Sequence, residues 1–356
     1  MTTRLENRIM AMIRDQGPMR LDHFMGLCLS DPDEGYYRRQ DPLGREGDFT
    51  TAPEISQMFG ELVSLWLYDE ALKQGIAETA GLVELGPGRG SLMADALRCL
   101  NSVAPERQWP VHLLEISPGL IKAQEQNLAT AANASLHWME TLEALPEQPL
   151  LIIANEFFDA LPVRQFRALG GQWHERLVDL ADDGLTLTES SDPIHLDGLP
   201  EAGDDGVIAE HAPDLAGIIA SLAQHIERHG GAMLIFDYGK NGATGDSLQA
   251  VQQHRPRDIL HEPGLTDLSA WVDFAAIADH ARHHGIAPHG PAEQGTFLKA
   301  IGLYARAEQL ATGATPETRR EIAAAVDRLS SPAQMGTAFK VMALRPRDAA
   351  MPVAGL

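Results

Sequence analysis

The segment Asn155-Glu156-Phe157-Phe158-Asp159-Ala160-Leu161-Pro162 puts an amide and two carboxylates directly after an apolar run, Leu150 to Ala154. A run of that kind reads as a buried strand. In a doubly wound sheet, ligands sit outside the carboxyl ends of the strands. Asn155, Glu156 and Asp159 are therefore candidate site residues. A carboxylate can pair with the N–H fork of a guanidinium and orient one of its nitrogens. Holding a nitrogen in line with an electrophilic methyl supplies most of the catalysis in such a displacement. Glu156 and Asp159, at i and i+3, share a face if the segment is helical. The same acids are equally at home in the first turn of a helix, where they face its positive end.

A second constellation lies earlier in the chain. Gly81 to Leu85 reads as a buried strand that carries Glu84, and Gly86-Pro87-Gly88-Arg89-Gly90 follows it. Ser91 to Leu100 then reads as a helix, with Leu92, Ala96 and Leu100 on one face. The glycines fall in a strand-to-helix turn, where they permit a tight bend and a close approach of backbone to ligand. Ser91 occupies the sixth position from Gly86, so a dinucleotide fingerprint fails, and no lysine is placed for a P-loop. An acid two residues before G-x-G-x-G is the usual first motif of S-adenosyl-L-methionine (SAM) methyltransferases; a glycine turn that binds nothing is the other reading. Val111 to Glu115 is the next apolar run and ends in an acid. A carboxylate at that strand tip can accept from both ribose hydroxyls. The candidate cofactor residues are thus Glu84, Gly86, Gly88, Gly90, Glu115 and Asn155. Asp48 and Thr50, in Gly47-Asp48-Phe49-Thr50-Thr51, join them as residues expected near the amino-acid part of the cofactor.

The elements that must position these groups alternate from residue 81 to about 160. They read as strand, helix, strand, helix (Pro118 to about Thr130), strand (Ala134 to Trp138) and strand (Leu150 to Ala154). That is the front half of a doubly wound α/β sheet. Residues 1 to about 75 read as a helical N-terminal region, with Leu5, Ile9, Met12 and Ile13 in one stripe. Thr51 and Glu54 read as a capping box for a helix carrying Ile55, Met58, Phe59, Leu62, Val63 and Trp66. Residues 76–356 then form the core. Antiparallel hairpins are inserted at about 165–212 and a polar, glycine-rich loop at about 239–270. Helices are expected over 213–229, 271–285, 297–311 and 316–329, and a closing strand over Thr337 to Leu344.

Composition narrows the function further. Fifty acidic against 28 basic residues give a formal charge of −22. This field repels phosphate backbones and anionic membranes, so no nucleic-acid partner is expected, and it suits a cationic, arginine-bearing one. No apolar run is long enough to span a membrane. Two cysteines, Cys28 and Cys99, read as packing residues in a reducing compartment. With neither an apolar nor an Arg/Ser-rich leader, the expected location is cytoplasmic. His280, His283 and His284 lack any metal-ligand spacing and read as a solvated helix end.

Several long motifs in one order carry a family resemblance over nearly the whole chain. They are Gly47-Asp48-Phe49-Thr50-Thr51-Ala52-Pro53-Glu54-Ile55-Ser56-Gln57, Glu84-Leu85-Gly86-Pro87-Gly88-Arg89-Gly90 and Asn155 to Pro162. Asp237-Tyr238-Gly239, Ser247-Leu248-Gln249-Ala250 with His254, Val272-Asp273-Phe274, and Met335-Gly336 with Phe339-Lys340 follow. The chain resembles the MidA-like SAM-dependent methyltransferases, whose mitochondrial members are complex I assembly factors that methylate arginine. Ser247 and Trp271 are small departures from the pattern. The resemblance implies a Rossmann-like core, SAM as cofactor, catalytic roles for Glu156 and Asp159, and an arginine-bearing protein substrate such as a respiratory complex I subunit. A SAM-binding assembly chaperone with little catalysis, or an N-methyltransferase acting on another protein or a small molecule, is the alternative.

Overall fold

The computed structural model describes residues 3–38, 51–182, 184–349 and 352–356. The chain forms two compact units, one of Met1–Phe49, Phe158–Ala216 and Asn241–Asp273, the other of Thr50–Phe157, Gly217–Lys240 and Phe274–Leu356.

The first unit contains helices Arg4–Gln16 and Leu21–Ser30. Thr3 and Glu6 close a reciprocal capping box at the start of the first helix, which satisfies two of its orphan donors. Leu5, Ile9 and Ile13 lie on its buried face. Strands Arg164–Leu169, Gln172–Ala181 and Gly184–Glu189 form an antiparallel meander, with Ile208–His211 beside the first of them. The hairpins expected after residue 165 are these strands. Where a polar loop was expected up to residue 270, the chain builds a small sheet from Gln249–Gln252, Arg255–Arg257 and Asp267–Ser269. Those strands are too short for a two-residue alternation to stand out.

The second unit is the α/β core. In chain order it contains α1 (Ala52–Ile55), α2 (Gln57–Lys73), β1 (Gly81–Leu85), α3 (Ser91–Val103), β2 (Trp109–Leu114), α4 (Pro118–Leu128), β3 (Ala134–Met139) and β4 (Leu150–Asn155). There follow α5 (Leu215–His229), β5 (Gly231–Lys240), α6 (Phe274–His283), β6 (Ile286–Glu293), α7 (Gln294–Ala300), α8 (Leu303–Ala311), α9 (Pro316–Ser330) and β7 (Phe339–Pro346). The strands run in the order β6-β7-β5-β4-β1-β2-β3. All pairs from β5 to β3 are parallel, and β7 is antiparallel to both of its neighbours. β1 and β4 are buried along their whole length, as strands covered on both faces must be, which explains their unbroken apolar runs. Strand order reverses between β1 and β4, so their carboxyl ends flank the switch point where such sheets bind ligands.

Three local expectations are corrected by the structure. Thr51 sits at the N-cap position of α1, but its side chain caps nothing. The expected single helix breaks at Ser56, whose hydroxyl accepts from Met58 N at 3.2 Å and opens α2 instead. The expected helix over 297–311 is two helices, α7 and α8, separated at Gly302 with φ 109°. β6 carries Pro288 and Pro291, which reads as loop in sequence; proline is tolerated on an edge strand such as this one.

Candidate functional site

The turn after β1 is built on left-handed backbone. Gly86, Gly88 and Gly90 take φ of 62°, 55° and 81°, a region that side chains enter only at a cost. A side chain at Gly86 would begin 3.1 Å from the Phe157 ring, and one at Gly90 would begin 3.4 Å from Gln124 Cγ. Missing side chains here let neighbouring elements close on the turn. Gly86 N donates to Leu114 O at 3.1 Å and ties the turn to β2. Glu84, just before the turn, is almost wholly buried. Burial alone pushes its carboxyl up to about 8, because the charged form loses its hydration. Its Oε2 has no hydrogen-bond partner among the described residues.

At the tip of β2, three N–H donors hold the Glu115 carboxylate. Oε1 accepts from Ile116 N at 2.9 Å and Ser117 N at 2.8 Å, and Oε2 accepts from Gln124 Nε2 at 3.1 Å. The same Gln124 amide donates to Gly88 O at 2.7 Å. Three residues further along α4, Asn127 Nδ2 donates to Arg89 O at 2.8 Å. One face of α4 thus clamps both the glycine turn and the acid.

The tip of β4 is different. Asn155 is buried, its Nδ2 donates to Glu156 Oε1 at 3.3 Å, and its Oδ1 has no hydrogen-bond partner among the described residues. Glu156 takes φ 52°, a strained conformation for a residue with a side chain. Its N donates to Phe236 O at 2.9 Å, and its Oε1 also accepts from Ala52 N at 3.4 Å, at the start of α1. The carboxylate therefore meets the end of α1 that Thr51 was expected to cap. Asp237, fully buried at the neighbouring tip of β5, accepts from Phe157 N at 3.3 Å and Tyr238 N at 3.1 Å.

The expected residues are distributed as follows. Glu84, Gly86, Gly88, Gly90, Glu115, Asn155 and Glu156 all belong to the second unit, at adjacent strand tips. Residues 156–162 are bends and turns rather than helix, so the i, i+3 face expected for Glu156 and Asp159 does not form. Asp159 belongs to the first unit and is buried there, its carbonyl accepting from Ala270 N at 2.9 Å. In that unit the Tyr37 hydroxyl donates to Asp267 Oδ1 at 3.1 Å. Burial first, then the charges of Asp267 and Asp159, push that hydroxyl well above its usual value. Asp48 and Thr50 lie outside the described residues. Sequence reasoning missed Phe157, Gln124 and the bridging role of Asp237. Only Gln124 left a trace, as a polar residue on the Leu120–Leu128 face of α4.

Cys28 is buried and its thiol is pushed up to about 12 by burial; Cys99 is half-buried and raised for the same reason. At Cys99 burial outweighs the nearby Arg306 and Arg98, so neither thiol is held as the thiolate that a reactive cysteine needs. Among the described residues, no group of three or more His, Cys, Asp or Glu side chains could hold a metal ion. No helix among them is long and apolar enough to cross a membrane.

Comparison with known proteins agrees with this geometry. The model of a family of S-adenosyl-L-methionine-dependent methyltransferases matches residues 62–292, more than half of the chain. The chain is 39% identical to the mitochondrial protein arginine methyltransferase NDUFAF7 homolog of Drosophila melanogaster, covering 96% of this chain and 85% of that protein. It is 34% identical to protein arginine methyltransferase NDUFAF7, mitochondrial, of Homo sapiens, covering 97% and 84%. A methyl transferase candidate from Burkholderia thailandensis, crystallised with S-adenosyl-homocysteine, superposes with a TM-score of 0.83 at 26% identity, covering 98% of this chain and 92% of that one. The mitochondrial names of the relatives overturn the cytoplasmic placement expected from sequence. That expectation rested on the composition of the N-terminal residues, the sparse cysteines and the lack of a long apolar run, none of which is an address for a compartment. By motif order, sheet topology and family match, the chain belongs to the S-adenosyl-L-methionine-dependent methyltransferases.

Proposed function

We propose that this chain transfers methyl groups to arginine in a protein substrate. Two observations speak for the fit of SAM: the bare glycine turn, and the buried, unpartnered Glu84 Oε2 and Asn155 Oδ1 at the flanking tips. Glu84, Gly86, Gly88 and Gly90 would hold the cofactor, Glu115 its ribose, and Asn155 the edge beside β4. When bound, SAM supplies a sulfonium methyl open to displacement.

The observation that carries the arginine step is Glu156, a carboxylate kept at a backbone position that favours glycine, at the switch-point end of β4. Its charge pairs with a guanidinium and turns one nitrogen toward the methyl. That nitrogen forms the new C–N bond, the S–CH3 electron pair stays on sulfur, and the nitrogen releases a proton. The net charge of −22 suits a basic, arginine-bearing partner. The relatives named protein arginine methyltransferases support this target, and the motif resemblance makes a respiratory complex I subunit the first substrate to try.

The test is transfer of radiolabelled methyl from SAM into that purified subunit, with mass spectrometry to locate it. Label on arginine is the expected result. Label on another residue type removes the arginine assignment, and saturable SAM binding with no incorporation leaves the chaperone reading in its place.

A further inference from the structure

The Gln124 side chain is fully buried, and each of its polar atoms is spoken for. Its Oε1 accepts from Trp138 Nε1 at 2.8 Å, on β3. An indole N–H can only donate, so the carbonyl end of the amide must face Trp138. The amide NH2 is thereby aimed the other way, where it donates both to Gly88 O at 2.7 Å and to Glu115 Oε2 at 3.1 Å. Neither acceptor could take the carbonyl end in its place. The orientation is thus fixed by chemistry, with no second amide rotamer that satisfies all three partners. Gly90 adds the packing: its bare Cα lets α4 approach until Gln124 Cγ lies 3.4 Å from where a Cβ would stand.

We propose that Gln124 is a positioning residue for the cofactor: it locks the glycine turn to the ribose acid, and Trp138 sets its direction. This rests on the methyltransferase reading of the site. Two ligand-facing parts, one backbone and one side chain, come from different βα units; the Gly86 N–Leu114 O and Asn127–Arg89 bonds tie the turn to β2 and α4, and Gln124 joins the turn directly to the carboxylate. A single amide that bridges them keeps the turn and the carboxylate at one separation before ligand arrives, so little ordering is left to be done on binding. The consequence falls on SAM affinity, with little effect on the protein substrate or on methyl transfer once both are bound.

Calorimetry of SAM and S-adenosyl-homocysteine on the full chain tests this, together with steady-state kinetics. Gln124→Leu is expected to raise the SAM KM at least roughly tenfold, about 1.4 kcal/mol, with kcat and the protein-substrate KM changed less than about threefold. A role in stability alone predicts the reverse: a smaller active fraction, hence lower kcat with SAM KM unchanged. Gln124→Glu supplies a second readout. At pH 8 its carboxylate faces Glu115 and has no proton to give, so SAM binds weakly. As the pH falls toward 5.5 a carboxyl proton returns, and affinity is expected to recover relative to wild type. Trp138→Phe keeps the ring and loses the N–H, and a rise in SAM KM of roughly threefold is expected; it keeps the test open if Gln124→Leu folds poorly. Wild-type SAM affinity in all three variants overturns the proposal. A wild-type chain that binds neither SAM nor S-adenosyl-homocysteine overturns the methyltransferase reading as well, and so separates the two failures.

Discussion

After β1 the backbone enters the left-handed region at a glycine, Gly86 with φ 62°; after β4 it does so at a glutamate, Glu156 with φ 52°. The two tips flank the same switch point and ask the chain for the same bend. At β1 the bend is made by the residue suited to it, and the absent side chain leaves room for the Phe157 ring. At β4 a residue with a carboxylate is held in the same conformation, at a cost on the order of 1 kcal/mol. That carboxylate takes the Asn155 amide and the Ala52 N–H. The contrast teaches a division of labour: one tip offers bare backbone, and the other retains a functional group at the expense of local strain.

The comparison breaks most visibly if the glycine tip tolerates a side chain. Gly88→Val places a β-branched residue at φ 55°, and SAM affinity by calorimetry is expected to fall roughly 1000-fold, about 4 kcal/mol. Unchanged affinity would take the turn out of the site. At the other tip, Glu156→Gln keeps the backbone and removes the charge. SAM affinity is expected to stay within about threefold of wild type while single-turnover transfer drops roughly 1000-fold; transfer at the wild-type rate would strip Glu156 of its role.

A pH experiment sharpens the β1 side. Burial raises Glu84 from 4.5 to about 8, so the folded chain keeps a proton that the unfolded chain releases. Between those values the folded state binds more protons, and stability must fall as pH rises. The penalty is absent below 4.5 and complete above about 8. Glu84→Gln lacks it, so the variant's stability over wild type in urea titrations should grow by on the order of 1 kcal/mol per pH unit between pH 5 and 8. A difference that stays flat with pH would mean Glu84 is ionised throughout. The smallest effect isolates strain at β4. Glu156→Gly and Glu156→Ala lose the same carboxylate, and the glycine variant should be more stable by about 1 kcal/mol. Equal stability would show that the left-handed backbone carries no cost there.

Much of this was legible before any coordinates, and the reasons are physical. β1 and β4 are covered on both faces, so Gly81–Leu85 and Leu150–Asn155 are unbroken runs, and the glycine turn announces itself because few other residues accept its φ. Glu84, inside the first run, and Asn155 and Glu156, next to the second, stood out as candidates because polar groups interrupt or end apolar runs there, as Glu115 ends its own. What stayed hidden depends on contacts between distant segments. Gln124 reads as any polar helical residue until its three partners are in place, and Asp237 gives no hint that it joins two strand tips. The first-turn acids after β4 suggested a helix, yet the chain bends there instead, with Glu156 at φ 52°, outside right-handed helical space. Likewise Thr51 and Glu54 match a capping box by spacing, while the helix start is met by a carboxylate from a hundred residues away.

β7, residues Phe339–Pro346, lies between β5 and β6, although both precede it in the chain. Its Arg345 forms a buried ion pair with Glu70 of α2 at 2.8 Å. Until that segment has been synthesised, the growing polypeptide leaves the β5 edge open and the buried Glu70 paired with Lys73 but not with Arg345, and an open edge invites misassembly. Cover for the edge of the parallel strands therefore waits for a segment that follows β6 in the chain. A truncation upstream of Phe339 would report on that unfinished edge before it reported on methyl transfer.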